Sequence, residues 1–380
     1  MARLDGSGSA TPVASHRPGT PYIPASTMKL LSGAGALLQF GPSHRFRTSL
    51  LAGPDARREG RTLRGTVYLR GSGDPLLATR SYAADWLPAG STALADVGKS
   101  LRARGVRLVR GPIVADESLF DSRRLGPGWP SYYASYSAPL SAVATNQDYA
   151  GNSRSRYTTD PPLAAAQRVR ATLAGLGISQ VGAMKRGRTP RGARVLGTAT
   201  SPPLKVTVRT MNLASDNFIA EMLTKGVGAA ATGRGTTASG TDRIEALLAA
   251  RGLLGSGDRL ADGSGLSREN RLSARTLVNV IAAADADPGW GAALIGSLAA
   301  GGEGTLIRRF TTGVATKRVR AKTGYLDGVS SMAGRVVSKR GQRYAFAVVA
   351  NTPDITAART IQETIVVRLA SGAADTTAAR

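Results

Sequence analysis

The sequence predicts an α/β fold, with one domain split by a β-rich insert. Helix-like apolar runs stand on both sides of a central stretch of short β-like segments. The chain closes on a hairpin followed by an amphipathic helix. Its 380 residues suffice for more than one packed core, at ~100–200 residues per domain. The expected division is a discontinuous main domain of residues 1–53 and 196–380 around an inserted domain of residues 54–195.

Residues 1–19 are rich in Ser, Gly and Pro and contain no apolar h-region, so no export signal is expected within them. A helix is expected from about Ser26 to Gly41, apolar through Met28, Leu30, Leu31, Leu37 and Leu38. Residues 46–51, 66–69 and 107–114 are β-like, and residues 93–104 read as a helix between the last two. Residues 118–160 are irregular and rich in tyrosine. Residues 163–176 are expected to form a helix closed by Gly177, and residues 190–203 a linker. Further helices are expected at 214–223, 241–250 and 273–284, the last with Ser273 as its N-cap. Val329–Val337 and Arg343–Asn351 are β-like on either side of a turn, and residues 355–369 carry apolar residues at helical spacing. Gly33-Ala34-Gly35 lacks the third glycine of a dinucleotide loop and is expected to be close helix packing.

Composition narrows the chemistry. There is no Cys, and His16 and His44 are the only histidines. A thiolate nucleophile and disulfides are therefore excluded, and little is left for a His-rich metal site or a Ser-His-Asp triad. No metal or cofactor is expected, and no apolar run approaches the ~18 residues that span a bilayer. The 50 Lys+Arg against 25 Asp+Glu give a formal charge of +25, which first suggests nucleic acid. A nucleic-acid binder gathers such charge on one face, with aromatics interleaved for stacking. Here the densest clusters, 102–110, 185–194 and 317–322, contain no aromatic, and basic residues run from Arg3 to Arg380. No nucleic-acid partner is expected. Compositional bias explains most of the charge, and loose attraction to anionic polymers the remainder.

Ser26-Thr27-Met28-Lys29 contains the one Ser in the chain followed three residues later by Lys. At that spacing on a helix the two side chains share a face. A hydroxyl near pH 7 needs an adjacent base, and a desolvated Lys can serve. Ser215-Asp216-Asn217 is the one S-x-N, and Lys322-Thr323-Gly324 the one K-T-G. Each motif alone is weak. All three in this order form the signature shared by penicillin-binding proteins and class A β-lactamases.

The flanking residues narrow the resemblance. They include Pro24-Ala25, Gly71-Ser72-Gly73-Asp74-Pro75, Gly126-Pro127-Gly128-Trp129, Ser137-Ala138-Pro139-Leu140-Ser141-Ala142 and Asp262-Gly263-Ser264-Gly265-Leu266-Ser267-Arg268. With them the chain resembles the class C low-molecular-mass penicillin-binding proteins, which are D-alanyl-D-alanine carboxypeptidases and endopeptidases with a large insert. The long stretch between Lys29 and Ser215 leaves room for that insert. No Glu between Ser215 and Lys322 stands in a setting resembling the deacylating Glu of class A β-lactamases.

The resemblance implies a penicillin-binding-protein/β-lactamase-like transpeptidase domain, an antiparallel sheet flanked by helices. It implies hydrolysis of peptidoglycan stem peptides, with β-lactams as covalent inhibitors and a place outside the cytoplasmic membrane. Ser26 would attack the terminal D-Ala-D-Ala carbonyl and Lys29 would be its base. Ser215 would relay a proton to the leaving amine, and Asn217 would hold the substrate amide. Lys322 would keep the site electropositive and lower the pKa of Lys29. Thr323 would meet the substrate carboxylate, and Gly324 would let substrate lie against the strand. The backbone N–H groups of Ser26 and Tyr325 would form the oxyanion hole. Ser264 and Arg268 are candidates for contacts with the stem peptide.

Three departures stand out. Tyr325 occupies a position where relatives carry a small hydroxyl residue. Pro130-Ser131-Tyr132-Tyr133 follows Trp129 where acidic residues are expected, and the insert is short. Two other readings are a β-lactamase-like or esterase hydrolase of the same fold, and a non-catalytic cell-wall-binding protein.

Overall fold

The computed structural model describes residues 1–374. Its main sheet has six strands, in the order Ala299–Ala300, Val319–Leu326, Val329–Val337, Arg343–Asn351, Ala2–Leu4 and Ala10–Pro12, with every neighbour antiparallel. The closing hairpin has the bounds that its alternation predicts, and helix Ile355–Ser371 covers it. Val366, Leu369 and Ala370 pack there with Met332, Val336, Tyr344 and Phe346.

On the other side lies helix Lys29–Phe40, every residue of which from Lys29 to Leu37 is buried. A helix apolar on all sides belongs in the middle of a core. Helices Leu204–Ala214, Asn217–Thr232, Thr237–Ala249, Ala274–Ala286 and Trp290–Ser297 surround it. A β-carbon on Gly35 would stand 2.5 Å from Ile244, so Gly33-Ala34-Gly35 is indeed close helix packing.

Two smaller mixed sheets share a separate core, which includes Leu69, Val97, Ile113, Val169 and Leu173. One sheet runs Met184–Arg186, Ile113–Asp116, Val67–Arg70, Arg47–Ala52 and Arg194–Thr200. The other runs Ser179–Val181, Leu108–Arg110, Thr62–Arg64 and Arg57–Glu59. The β-like run 107–114 is therefore two strands in different sheets. It divides at Gly111-Pro112, where a β-carbon on Gly111 would lie 2.0 Å from the Gly65 carbonyl oxygen and Pro112 has no N–H to give a ladder.

Two expectations change. Residues 190–203 are not a linker, because Arg194–Thr200 pairs antiparallel with Arg47–Ala52 through a bulge between Val195 and Gly197. Small residues at Gly197 and Ala199 hide its alternation, yet Gly197 lies where a β-carbon would meet the Val97 carbonyl oxygen at 2.3 Å. The helix expected at 214–223 begins at Asn217, after a break at Ser215, and runs on to Thr232, while a separate helix that was not expected precedes the break. That helix, Leu204–Ala214, contains Val206, Thr207, Val208 and Thr210, whose β-branching disfavours a helix. Burial of Leu204, Val208 and Met211 overrides that preference. Residues 118–160 are irregular, broken only by short 3₁₀ turns at Ser131–Ser135 and Asn146–Asp148. No described helix is long and apolar enough to cross a membrane.

Candidate active site

Ser26 lies in a single 3₁₀ turn, Ala25–Met28, that runs directly into helix Lys29–Phe40. The turn is tied down at Pro24, whose carbonyl accepts Thr27 Oγ1 at 2.7 Å and Ser331 Oγ at 2.6 Å. Ala25 is held at φ +47°, a left-handed conformation that costs a residue with a β-carbon about 1–3 kcal/mol. Ala25, Thr27 and Met28 are buried, so the half-exposed Ser26 is the residue that the turn offers to solvent.

Lys29 is fully buried. Its Nζ donates to Ser26 Oγ at 3.0 Å, Asn217 Oδ1 at 2.7 Å and the Ser264 carbonyl at 2.7 Å. Asn217 is oriented by its own Nδ2, which donates to the Tyr136 carbonyl at 2.9 Å. Burial pushes Lys29 down from 10.5 to about 8, against the opposing pull of the Asp262, Asp216 and Glu221 charges. When Lys29 is neutral, its two remaining N–H bonds have two partners that can only accept, Asn217 Oδ1 and Ser264 O. Its lone pair is then left for the Ser26 hydroxyl, the one neighbour able to donate. This arrangement can supply a base for that hydroxyl.

The second motif sits on the break between two helices. Ser215 ends Leu204–Ala214 in a left-handed conformation, φ +54° and ψ +38°. Asp216 caps the next helix by accepting Ile219 N at 2.9 Å. Ser215 Oγ accepts from Lys322 Nζ at 2.9 Å, and Lys322 also donates to the Thr323 carbonyl at 2.7 Å. Burial, and next the Lys29 charge, hold Lys322 well below the usual lysine range. For Lys29 itself, burial is the main cause of the lowered pKa, so the repulsion by Lys322 expected from the sequence is not needed to explain it.

Lys322, Thr323 and Gly324 lie in strand Val319–Leu326, opposite Ala333, Met332 and Ser331. A β-carbon on Gly324 would stand 2.3 Å from Ser331 Oγ and 2.8 Å from the Ser26 nitrogen. Glycine there lets the strand lie against the serine turn. Thr323 is half-buried, and Tyr325 is exposed, with its ring 5.7 Å from the Arg359 guanidinium.

The loop from Asp262 to Arg268 closes the back of the site. A β-carbon on Gly265, at φ +86°, would stand 1.9 Å from the Ala25 carbonyl oxygen, so the loop abuts the serine turn. Ser264 does not meet the cleft as the sequence led us to expect. It is fully buried, and its Oγ accepts the Leu266 amide at 3.3 Å, while its carbonyl holds Lys29. Arg268 is exposed and donates to the Asp327 carbonyl, beyond the K-T-G strand.

Four residues with no assigned role from the sequence, Asp262, Asn270, Trp129 and Glu221, hold this loop. Asp262 accepts the amides of Gly265 at 2.7 Å and Ser267 at 2.5 Å, Asn270 Nδ2 at 2.8 Å and the Trp129 indole at 2.8 Å. Glu221 Oε1 accepts the amides of Gly263 at 3.0 Å and Ser264 at 2.8 Å. Burial, and then the Asp262 charge, raise the Glu221 carboxyl to about 8. Glu221 stands one turn beyond Asn217, an i, i+4 relation readable in the sequence. It is enclosed behind the loop rather than set toward Ser26.

The D-Ala-D-Ala carboxypeptidase 3 (S13) family model matches residues 5–153 and 144–372. A D-alanyl-D-alanine carboxypeptidase of Actinomadura sp. (strain R39) is 30% identical over 433 residues, covering 93% of this chain and 77% of the relative. A carboxypeptidase of Mycobacterium tuberculosis is 32% identical over 343 residues, covering 87% of this chain and 71% of the relative. The crystal structure of penicillin binding protein 4 from Haemophilus influenzae superposes with a TM-score of 0.77 at 22% identity, over 93% of each chain. That protein complexed with a novel β-lactam gives a TM-score of 0.69 at 22% identity, over 93% of each chain. These likenesses agree with the penicillin-binding-protein/β-lactamase-like fold and do not favour a β-lactamase-like hydrolase, an esterase or a non-catalytic wall protein. With its three motifs gathered around two buried lysines and most of its length matched, the chain belongs to the S13 family of D-Ala-D-Ala carboxypeptidases.

Proposed function

We propose that Ser26 carries the carboxypeptidase reaction on peptidoglycan stem peptides through an acyl-enzyme. Neutral Lys29 takes the Ser26 proton as Oγ bonds to the carbonyl carbon of the terminal D-Ala-D-Ala bond. The backbone N–H groups of Ser26 and Tyr325 receive the oxyanion. Ser215, next to Lys322, passes a proton to the leaving amine as the C–N bond breaks. Asn217 holds the substrate amide, and Lys322 and Thr323 the terminal carboxylate. Water then cleaves the ester and restores the Ser26 hydroxyl. The observation that carries this reading is the set of acceptors around Lys29, which leaves its lone pair to Ser26. A β-lactam would be attacked in the same way, giving a stable acyl-enzyme.

The test is a fluorescent penicillin. Wild-type protein is expected to label covalently and the Ser26→Ala variant not to label; label that persists in the variant overturns the assignment. Incubation with a defined muropeptide, followed by mass analysis, separates loss of one D-Ala from cutting of a cross-link.

We also propose residues 1–53 and 196–380 as the catalytic body and 54–195 as the insert, the chain passing between them through the paired strands Arg47–Ala52 and Arg194–Thr200 of the five-stranded sheet. A substrate of this kind puts the enzyme outside the cytoplasmic membrane. Its charge of +25 suits loose attraction to anionic wall polymers. Retention on isolated walls that high salt does not reverse would exclude that attraction.

A further inference from the structure

A polar cavity of about 190 Å³ opens beside the Ser215–Asn217 turn, and Arg154 is the one cation among the described residues that line it. Arg154 takes no part in the chemistry proposed above. Its guanidinium is stacked among three aromatic rings, 5.3 Å from Tyr82, 4.6 Å from Trp86 and 5.1 Å from Tyr149. Its Nε donates to Tyr82 Oη at 2.7 Å and its Nη2 donates to Gln147 Oε1. Both partners are neutral, and no described carboxylate pairs with this guanidinium. Such stacking fixes the plane of the donor fork before any ligand arrives.

Asp216 also lines the cavity, but both of its oxygens already accept hydrogen bonds. One of its oxygens caps helix Asn217–Thr232 at Ile219 N, and the other accepts Gln147 Nε2 at 2.7 Å. Gln147 thus bridges Asp216 and Arg154 and keeps the two apart. It belongs to three successive non-glycine residues at positive φ, Asn146 at +54°, Gln147 at +49° and Asp148 at +53°, and Arg154 itself is at +54°. A segment wound this way is held by its surroundings and presents a chosen set of side chains.

We propose that this cavity is a carboxylate subsite, in which Arg154 receives a second carboxylate of the wall peptide. It is distinct from the terminal carboxylate assigned to Lys322 and Thr323. The inference rests on the proposed reaction for its orientation, since Ser215 and Asn217 join the cavity to the reacting centre. A planar, pre-stacked guanidinium whose own hydrogen-bond partners are neutral keeps donors for two oxygens in one plane, which is what a carboxylate presents. The carboxylate could come from the cleaved stem or from the strand cross-linked to it.

Binding to the Ser26→Ala protein, measured by calorimetry, decides between these sources. The probes are a linear stem pentapeptide and a cross-linked muropeptide dimer. Each is made with its internal carboxylates free or amidated, and all keep the terminal carboxylate. The free-acid probe is expected to bind more tightly than its amidated partner. Adding Arg154→Gln should weaken the free-acid probe roughly ten- to a hundredfold, as loss of a charge-assisted hydrogen bond does, and leave the amidated probe unchanged. Arg154→Lys should fall between. A preference seen with the linear probe assigns the carboxylate to the cleaved stem, and one seen with the dimer alone assigns it to the other strand. Equal affinity for free and amidated probes in the Arg154-containing protein overturns the subsite, even if Arg154→Gln does not fold. Equal loss for both probes in Arg154→Gln also overturns it. Absence of penicillin label on wild-type Ser26 would instead sink the serine reaction, and the binding comparison still judges the subsite.

Discussion

Glu221 and Lys29 do not touch, yet they hold the same residue from two sides. Glu221 Oε1 accepts the Ser264 amide at 2.8 Å, and the Ser264 carbonyl accepts Lys29 Nζ at 2.7 Å. One residue's backbone therefore passes the position of a buried carboxyl on to a buried amine. Ser32 Oγ pins the adjoining Gly263 carbonyl at 2.5 Å, and a β-carbon on Gly263 would stand 2.0 Å from Thr224 Oγ1, so the loop has little room to shift.

Replacing Glu221 should therefore act through Lys29. Below about pH 8 the carboxyl is largely neutral, so Glu221→Gln keeps the acceptor and should retain penicillin acylation within about threefold. Glu221→Ala leaves two buried amides unpaired and should lower the acylation rate by about ten- to a hundredfold. The stability of the pair should separate with pH. A carboxyl raised from 4.5 to about 8 contributes most below 4.5, and that contribution is lost as pH rises through 8. Glutamine does not titrate, so thermal melts should shift in favour of Glu221→Gln between pH 5 and pH 9. Equal acylation by Glu221→Ala and wild type would remove Glu221 from the site.

As the proposed base, Lys29 should set the acid limb of the reaction. Its ammonium form cannot accept the Ser26 proton, and burial brings it to about 8. The penicillin acylation rate should rise about tenfold per pH unit below that value and flatten above it. Lys29→Met should abolish the limb along with most of the rate. A profile flat from pH 6 to pH 9 would rule out Lys29 as the titrating base.

Gly324 should not tolerate a side chain. In Gly324→Ala the new methyl meets Ser331 Oγ at 2.3 Å, the Ser26 nitrogen at 2.8 Å and the Pro24 carbonyl oxygen at 2.9 Å. Ser331 is itself committed to Pro24, so the strand must retreat from the serine turn. We expect a loss of about 1–3 kcal/mol in stability, typical of overpacking, and a slower acylation than that loss explains. Melting curves and single-turnover labelling measure the two separately.

The residues proposed to react were readable in the sequence because their chemistry depends on spacing along the chain and on single-copy motifs. Ser26 and Lys29 share a helical face, and Lys322 to Gly324 lie on a strand beside a hairpin whose alternation is plain. What supports them was less readable. Asp262 and Trp129 meet across the fold at 2.8 Å, and no local periodicity brings residues so distant in sequence together. The break at Ser215 was hidden by a β-branched stretch that packing turned into a helix. Ser264 looked like a loop residue open to substrate, and only the packing of Gly265 on Ala25 shows why it is enclosed.

The attachment of residues 118–125 to the catalytic body gives a last prediction. Lys225, buried on helix Asn217–Thr232, donates to Asp121 Oδ1 at 2.5 Å and to the Arg123 carbonyl at 2.7 Å. Burial lowers its pKa, and the hydrogen bond to Asp121 opposes that shift. Lys225→Met preserves the packing of the stem but strands a carboxylate that is 22% exposed. We expect about 1–3 kcal/mol of destabilisation, less than for a fully enclosed pair because water still reaches Asp121. Adding Asp121→Leu should recover much of it, since no unpaired charge then remains. Lys225 stands two turns from Asn217 and touches no motif residue, so the folded fraction of each variant should acylate at the wild-type rate. A melting temperature unchanged in Lys225→Met would mean that the pair contributes nothing net to holding the segment. Slowed acylation in fully folded protein would mean that the segment's position reaches the site through Asn217.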